Sequence, residues 1–313
     1  MSDEQPTELE AGGTNAVGKM LGLLGDEWTL LLIQQALQGV TRYGQFKNAL
    51  PISNAVLTAR LNLLTEQGLL RRNVYQSNPM RAEYLTTTRS RSLWPFLIAI
   101  WEWERQWVPA HDLPLMVHTV CEREFHPVLS CTSCGKPAAA REIGVEWGPS
   151  GTWERSVPAA STRRRWDSEP VSGVAGLFPD TMTILGNRWA SALMGAAFRG
   201  VTRFTDFEKA LGAPPTLVAD RIRAFVAIDV LVATQNHKRP DWVEYRLTEK
   251  GRAFFPVVAT ALAWSQHWFR SPEGPALIET HQQCGSPFEP QFRCDQCNAV
   301  VHRRDIRVVP PTD

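Results

Sequence analysis

The chain has no stretch of about 18 uninterrupted apolar residues, which excludes a transmembrane helix. Its first residues, Met1-Ser2-Asp3-Glu4-Gln5, are acidic and lack an apolar core, so no secretory signal is expected and a cytoplasmic location is. Net charge is scarce, at +1. That excludes a large, histone-like basic surface but leaves room for a local basic patch. Tyrosine is sparse, with 4 residues against 12 tryptophans. There is no P-loop, no G-x-G-x-x-G after a strand, no H-E-x-x-H and no G-x-S-x-G, so nothing specific supports an enzyme. With 43% hydrophobic and 21% charged residues, the chain has the composition of a folded globular protein. Its 313 residues are enough for two or three domains.

What is present is a repeat. At an offset of 161, Gly25 to Leu50 aligns without a gap on Gly186 to Leu211, with 11 of 26 positions identical. The pairs include Gly25/Gly186, Trp28/Trp189, Arg42/Arg203 and Phe46/Phe207. Farther on, Arg60/Arg221, Tyr84/Tyr245 and Thr87/Thr248 stay in register. A period this long is a whole domain rather than a solenoid unit. The cysteines repeat at an offset of 163, with His118, Cys121, Cys131 and Cys134 matching His281, Cys284, Cys294 and Cys297. The expected organisation is a disordered tail (1–15), domain 1 (16–110), a Cys/His module (111–144), a linker (145–178), domain 2 (179–271) and a second module (272–309).

Within one repeat, apolar residues at helical spacing predict a helix over 16–38 and another over 181–198. Thr41 and Thr202 are N-cap candidates for a short helix that ends near Leu50 in the first copy. Ser53 is the next N-cap candidate; Leu57, Leu61 and Leu64 give the following helix one buried face, and Gly68 ends it. Two short extended runs around Gln76–Arg81 predict a hairpin, and residues 89–108 an aromatic-rich closing helix. In copy two the hairpin tip falls at Asn236 to Asp241 and the closing helix at about 249–269. The order is that of a winged helix-turn-helix. The fold class is therefore mainly α with small β-hairpins (α+β): two winged helices, each followed by a small zinc-ribbon or knuckle-like module.

The runs G-D-E-W-T-L-L-L-I, G-V-T-R-Y-G-Q-F, L-T-A-R-L-N-L-L-T-E-Q-G-L and E-Y-L-T resemble the HxlR-type winged-helix regulators. The second copy is similar and closes its wing with E-Y-R-L-T-E-K-G. The resemblance covers roughly 20–108 and 181–269 and implies bacterial transcription factors that bind double-stranded DNA, usually as dimers. The tandem arrangement departs from the single-domain form. A homodimer and an intramolecular pairing of the two repeats are both open, and the effector is unknown.

A recognition helix presents small or polar side chains to the groove. In copy one these are Ser53, Asn54, Ala55, Thr58 and Asn62, with Thr41 and Arg42 preceding them and Arg81 on the wing. In copy two they are Arg203, Thr216, and Lys238 with Arg239 on the wing. Arg60, repeated as Arg221, suits phosphate contact or a structural ion pair equally. From 41 to 91, eight Lys/Arg stand against two Glu, a net +6; from 202 to 252, nine basic residues stand against seven acidic, a net +2. Phosphate contacts supply most non-specific affinity, so copy one is expected to be the stronger DNA binder. Pro214-Pro215 and Asp220 point the same way.

Each His-x2-Cys-x9-Cys-x2-Cys offers four ligands in two tight pairs, the donor set of a closed structural Zn²⁺ site. Two structural Zn²⁺ per chain are expected, one in each module. Gly135 and Asn298 follow the second pair where a turn needs positive φ. Glu289 holds the place of His126 in the other copy, so His126 is not expected to be a ligand. Trp101, Trp103 and Trp107, the last two matched by Trp264 and Trp268, read as core or interface. Arg163-Arg164-Arg165-Trp166 reads as a solvated loop or a backbone contact. The rivals to a DNA-binding regulator are a protein-interaction scaffold with degenerate winged helices and a thiol- or zinc-based redox-sensing regulator.

Overall fold

The computed structural model describes residues 5–78, 80–108, 113–157, 178–235, 239 and 242–309. Strand β1 (Thr7–Glu8) precedes the first winged helix. That domain comprises α1 (Ala16–Leu24), α2 (Glu27–Leu37), α3 (Tyr43–Ala49), α4 (Asn54–Glu66), wing strands β2 (Leu70–Ser77) and β3 (Met80–Thr86), α5 (Thr88–Arg91) and α6 (Trp94–Trp107). Next come β4 (Leu115–His118), β5 (Arg123–Glu124), β6 (Pro127–Cys131), β7 (Ile143–Trp147) and a helical turn, α7 (Trp153–Ser156). The second winged helix has α8 (Pro179–Leu185), α9 (Arg188–Phe198), α10 (Phe204–Leu211), α11 (Pro215–Ala227), wing strands β8 (Leu231–Gln235) and β9 (Val243–Leu247), α12 (Glu249–Ala253) and α13 (Phe255–Trp268). The chain closes with β10 (Phe269–Arg270), β11 (Leu277–His281), β12 (Ser286–Pro287), β13 (Pro290–Cys294) and β14 (Ile306–Val309). This is the expected α+β class with two winged helices.

Local chemistry explains most boundaries. Ser53 caps α4 by accepting from the Val56 N–H, and Leu57, Leu61 and Leu64 on that helix are fully buried. Gly68 follows with φ +71°, the left-handed conformation that ends helices. Two helix expectations need correction. Residues 16–38 are two helices, not one, and residues 181–198 likewise part at Gly186-Asn187 into α8 and α9. Asp26 is extended and its carboxylate accepts from the Thr29 N–H at 3.0 Å, which starts a new helix. Gly25 permits the break: a Cβ there would lie 2.9 Å from the Arg188 Cα of the other half. The caps of α3 and α10 are Arg42 and Arg203, one residue after the expected threonines. The carbonyls of Thr41 and Thr202 instead accept from Tyr84 and Tyr245 at 2.7 Å, clipping each wing to its domain.

The halves pack through symmetric contacts. Trp103 on α6 donates to the Lys250 carbonyl, and its repeat partner Trp264 on α13 donates to the Arg89 carbonyl, both at 3.0 Å. Strand β6 pairs antiparallel with β13, with Leu129 opposite its own repeat equivalent Phe292. Strand β4 pairs with β14, and β11 with β7, so each module's outer strands lie on the other module. Such pairing of a surface with its own equivalent is what a two-fold interface requires.

Two segment boundaries also change. Residues 5–15, expected to be disordered, are held in place: β1 pairs with β10, and the buried Arg89 donates to the Gln5 carbonyl and the Thr7 hydroxyl. The start of the expected linker is ordered as well. Strand β7 and α7 occupy 143–156, and the fully buried Asn15 donates to the Ser150 carbonyl and Ser156 Oγ. Composition signalled flexibility in both segments; contacts with distant residues overrode it. The arginine run 163–165 lies outside the described residues.

Candidate nucleic-acid interface and metal centres

In the first winged helix, α4 turns its apolar residues inward and leaves Asn54, Ala55, Thr58 and Asn62 exposed, with Ser53 exposed just before it. Positions 54, 58 and 62 are spaced by four and line one stripe. Tyr43 from α3 donates to the Asn54 carbonyl at 3.2 Å and lies 3.4 Å from Thr58 Oγ1, bracing the start of the helix. Arg42 is exposed and stacks over Tyr75 of the wing at 5.5 Å, and Arg81 is exposed on β3. Thr41 is half-buried. Arg60 belongs to the frame: it pairs with Asp26 through two bonds of 2.8 and 2.6 Å.

The second winged helix keeps the frame and changes the face. Thr216 is exposed near the start of α11, but Pro214 and Pro215 occupy the entry. Asp220 is exposed and paired with Arg223 on the next turn. Arg203 and Arg239 both stack on Trp242, at 4.0 and 4.7 Å. Lys238 lies outside the described residues. An apolar groove runs between α11 and the wing, lined by Phe204, Ile222, Val226 and Ala233. Val226 on α11 and Val232 and Val243 on the wing strands are exposed.

The eight Cys/His residues gather into two clusters, but not within modules. His118 and Cys121 meet Cys294 and Cys297; Cys131 and Cys134 meet His281 and Cys284. The expectation of one site per module is therefore corrected: each cluster takes its His-x2-Cys turn from one module and its Cys-x2-Cys turn from the other. The physical reason is the strand pairing. β6 against β13 and β4 against β14 carry each turn to the opposite module's partner. In all four turns the residue after the second ligand has positive φ: Glu122, Gly135, Gly285 and Asn298. The Gly135 and Asn298 positions were legible in sequence; Glu122 was not.

The donor spacing suits a metal ion. Nδ1 of His118 lies 3.5 Å from Cys121 Sγ and 3.3 Å from Cys297 Sγ, and Cys121 Sγ lies 3.9 Å from Cys294 Sγ. Nδ1 of His281 lies 3.3 Å from both Cys134 Sγ and Cys284 Sγ. A tetrahedral ion with metal–sulfur bonds of about 2.3 Å holds its ligands roughly 3.6–3.8 Å apart. Both histidines are fully buried; Nδ1 is the side aimed at the sulfurs, and their Nε2 atoms have no hydrogen-bond partner among the described residues. His126, as expected, joins neither cluster; its Nδ1 lies 2.7 Å from Glu102 and its Nε2 2.7 Å from Arg105.

Two helical domains with wings and solvent-facing recognition helices place the chain among the winged helix-turn-helix proteins. The model for the HxlR-like helix-turn-helix family matches residues 23–112 and again 184–273, and the chain belongs to that family. An HTH-type transcriptional regulator of Mycobacterium tuberculosis is 37% identical over 136 residues, covering 43% of this chain and 86% of that protein. YvaP, an HTH-type transcriptional regulator of Bacillus subtilis, is 34% identical over 91 residues, covering 29% of this chain and 84% of its own. A solved structure of a transcription factor from Pseudomonas aeruginosa is 28% identical with a TM-score of 0.34, covering 45% of this chain and 97% of that one. The relatives are thus built on the scale of one half of this chain. Among the described residues no helix is long and apolar enough to cross a membrane.

Proposed function

We propose that this protein is a cytoplasmic, non-enzymatic, sequence-specific transcriptional regulator whose two halves stand in for the two subunits of a dimer on double-stranded DNA. The first half is the main reader. The observation that carries this reading is the exposed stripe of Asn54, Thr58 and Asn62 on α4, flanked by Arg42 and Arg81. Asn pairs with adenine edges, Thr reaches bases or phosphates, and the arginines suit the backbone or minor groove. The second half lacks that stripe and stacks its wing arginine on Trp242. The symmetric contacts between halves support the pairing of repeats within one chain, with two-fold-related helices reading adjacent half-sites.

Zn²⁺ is the metal that fits each Cys₃His cluster. It prefers sulfur and imidazole donors in a tetrahedron, and four protein ligands leave no open position, so its role is structural. When bound, the ion would tie a turn of one module to a turn of the other. His118 and His281 would bind through Nδ1, and the cysteines as thiolates.

The test is selection of bound fragments from the source genome by the zinc-loaded chain at about 150 mM salt, where phosphate contacts alone hold poorly. A short discrete site supports the regulator, and its symmetry reports whether one or both halves read bases. Recovery of background sequence only would overturn the reading and favour a scaffold, for which the apolar groove of the second half is the docking candidate.

A further inference from the structure

A largely enclosed cavity of about 130 Å³ lies where the halves meet. Its walls come from α1 of the first half, β7 and α7 of the former linker, and α9, α13 and β11 of the second half. The lining is mainly apolar and aromatic, with Trp147, Trp153, Phe198 and Met194 prominent. An apolar protein cavity of about 150 Å³ is known to stay dry and accept benzene. The space here is therefore that of a single aromatic ring.

Four polar side chains interrupt the lining; Ser156 and Ser191 are already engaged, with Asn15 and with the Ile184 and Leu185 carbonyls, which leaves Glu279 and Arg199. Glu279 on β11 is about nine-tenths buried, and its carboxyl has no hydrogen-bond or ion-pair partner among the described residues. Arg199, the C-cap of α9, holds its guanidinium carbon 4.0 Å from the centre of the Trp147 ring, and its buried Nη1 has no hydrogen-bond partner among the described residues. An unpartnered buried carboxyl and a spare guanidinium donor are costly in a core. The repeat supplies an internal control. At the equivalent places of the first half stand Met116 for Glu279, Gln38 for Arg199 and Gln34 for Gly195. The strand register is the same in both, Glu279 opposite Val145 and Met116 opposite Val308. The fold thus does not require these two polar groups, which occur in one half only.

We infer that this cavity is a ligand site for a single-ring aromatic compound bearing a hydroxyl, a phenol in the simplest case. The ring fills the apolar space against Trp147 and Trp153. The hydroxyl is both donor and acceptor, and the lining offers it an acceptor in the Glu279 carboxyl or a donor in the Arg199 Nη1. Because the walls come from both halves, an occupant touches α1 of one and α9 of the other.

The experiment titrates the full, metal-loaded chain without DNA, using p-cresol and toluene as probes. Calorimetry gives affinity, and thermal unfolding reads the shift. p-Cresol is expected to bind with one-to-one stoichiometry, at least tenfold tighter than toluene, and to raise the midpoint. Gly195→Leu should abolish binding, because a side chain at this position enters open space in the cavity wall. Glu279→Leu provides a second readout if that variant folds poorly: toluene should still bind while the preference for p-cresol falls to within about threefold. Absence of saturable p-cresol binding overturns the site, as does equal affinity for toluene in the unaltered chain. Undiminished binding in folded Gly195→Leu places the ligand elsewhere and also overturns it. No outcome depends on DNA, so failure here leaves the regulator reading standing.

Discussion

The two winged helices share a frame and differ at the surface. In the first, Asp26 caps α2 and holds Arg60 of α4, and the outer face of α4 carries Asn54, Thr58 and Asn62. In the second, Asn187 takes the cap, prolines open α11, Asp220 pairs with Arg223, and Arg203 and Arg239 are stacked on Trp242. The face each half turns toward the other has kept its chemistry: Trp103 and Trp264 make equivalent bonds, and Asp26 and Asn187 bridge each other. A duplicated domain is held to its original packing where both copies meet, because either copy's change disturbs both. Its outward face carries no such constraint.

The sharpest way to break this picture is at the metal centres, where the largest effect is expected. Cys121→Ser with Cys297→Ser removes two ligands of one cluster, so one zinc per chain should remain by elemental analysis. Cys121→Ser with Cys134→Ser strikes both clusters and should leave none, with several kcal/mol of stability lost. The opposite pattern would restore one site per module. Next in size is Asp26→Ala, which deletes an N-cap and leaves Arg60 without its partner. A loss of about 2 kcal/mol is expected in denaturant unfolding, a figure kept modest because the pair is partly exposed. If Asn187→Ala costs as much, the ion pair adds nothing to the first half.

A smaller effect sharpens the functional comparison. Arg81→Ala should weaken DNA binding roughly tenfold and lower the salt slope by about 1. Arg239→Ala should change either by much less, since that guanidinium is engaged on Trp242. Equal losses in a salt series would make the halves equivalent readers. The smallest shift tests the shared interface. Trp264→Phe and Trp103→Phe each remove one buried hydrogen bond and should each cost about 1 kcal/mol. Clearly unequal costs would show that the interface has diverged too.

Much of this was legible in the chain itself. The offset of 161 located two domains, the Ser53 cap and the Leu57, Leu61, Leu64 stripe oriented α4, and the x2 spacings marked all eight Cys/His residues. Periodicity missed the break at Gly25-Asp26 because both flanking helices are apolar and the cause lies partly in Arg188, far along the chain. Composition misread residues 5–15 because Arg89 and β10 hold them from a distance. The cavity left no signal, since Glu279, Arg199 and Trp147 belong to three separate segments.

Sequence alone determined that there are two winged helices, that Ser53 caps α4 and which leucines fill its inner face, and which eight side chains form the clusters. Those properties depend on a residue and its near neighbours. Only the tertiary structure decided which four ligands share a cluster. A pair of ligands two residues apart supplies half a tetrahedron, and either of two Cys-x2-Cys turns completes it with identical chemistry. The choice is made by antiparallel pairing of β6 with β13 and of β4 with β14, a long-range register that brings each turn to the other half of the chain.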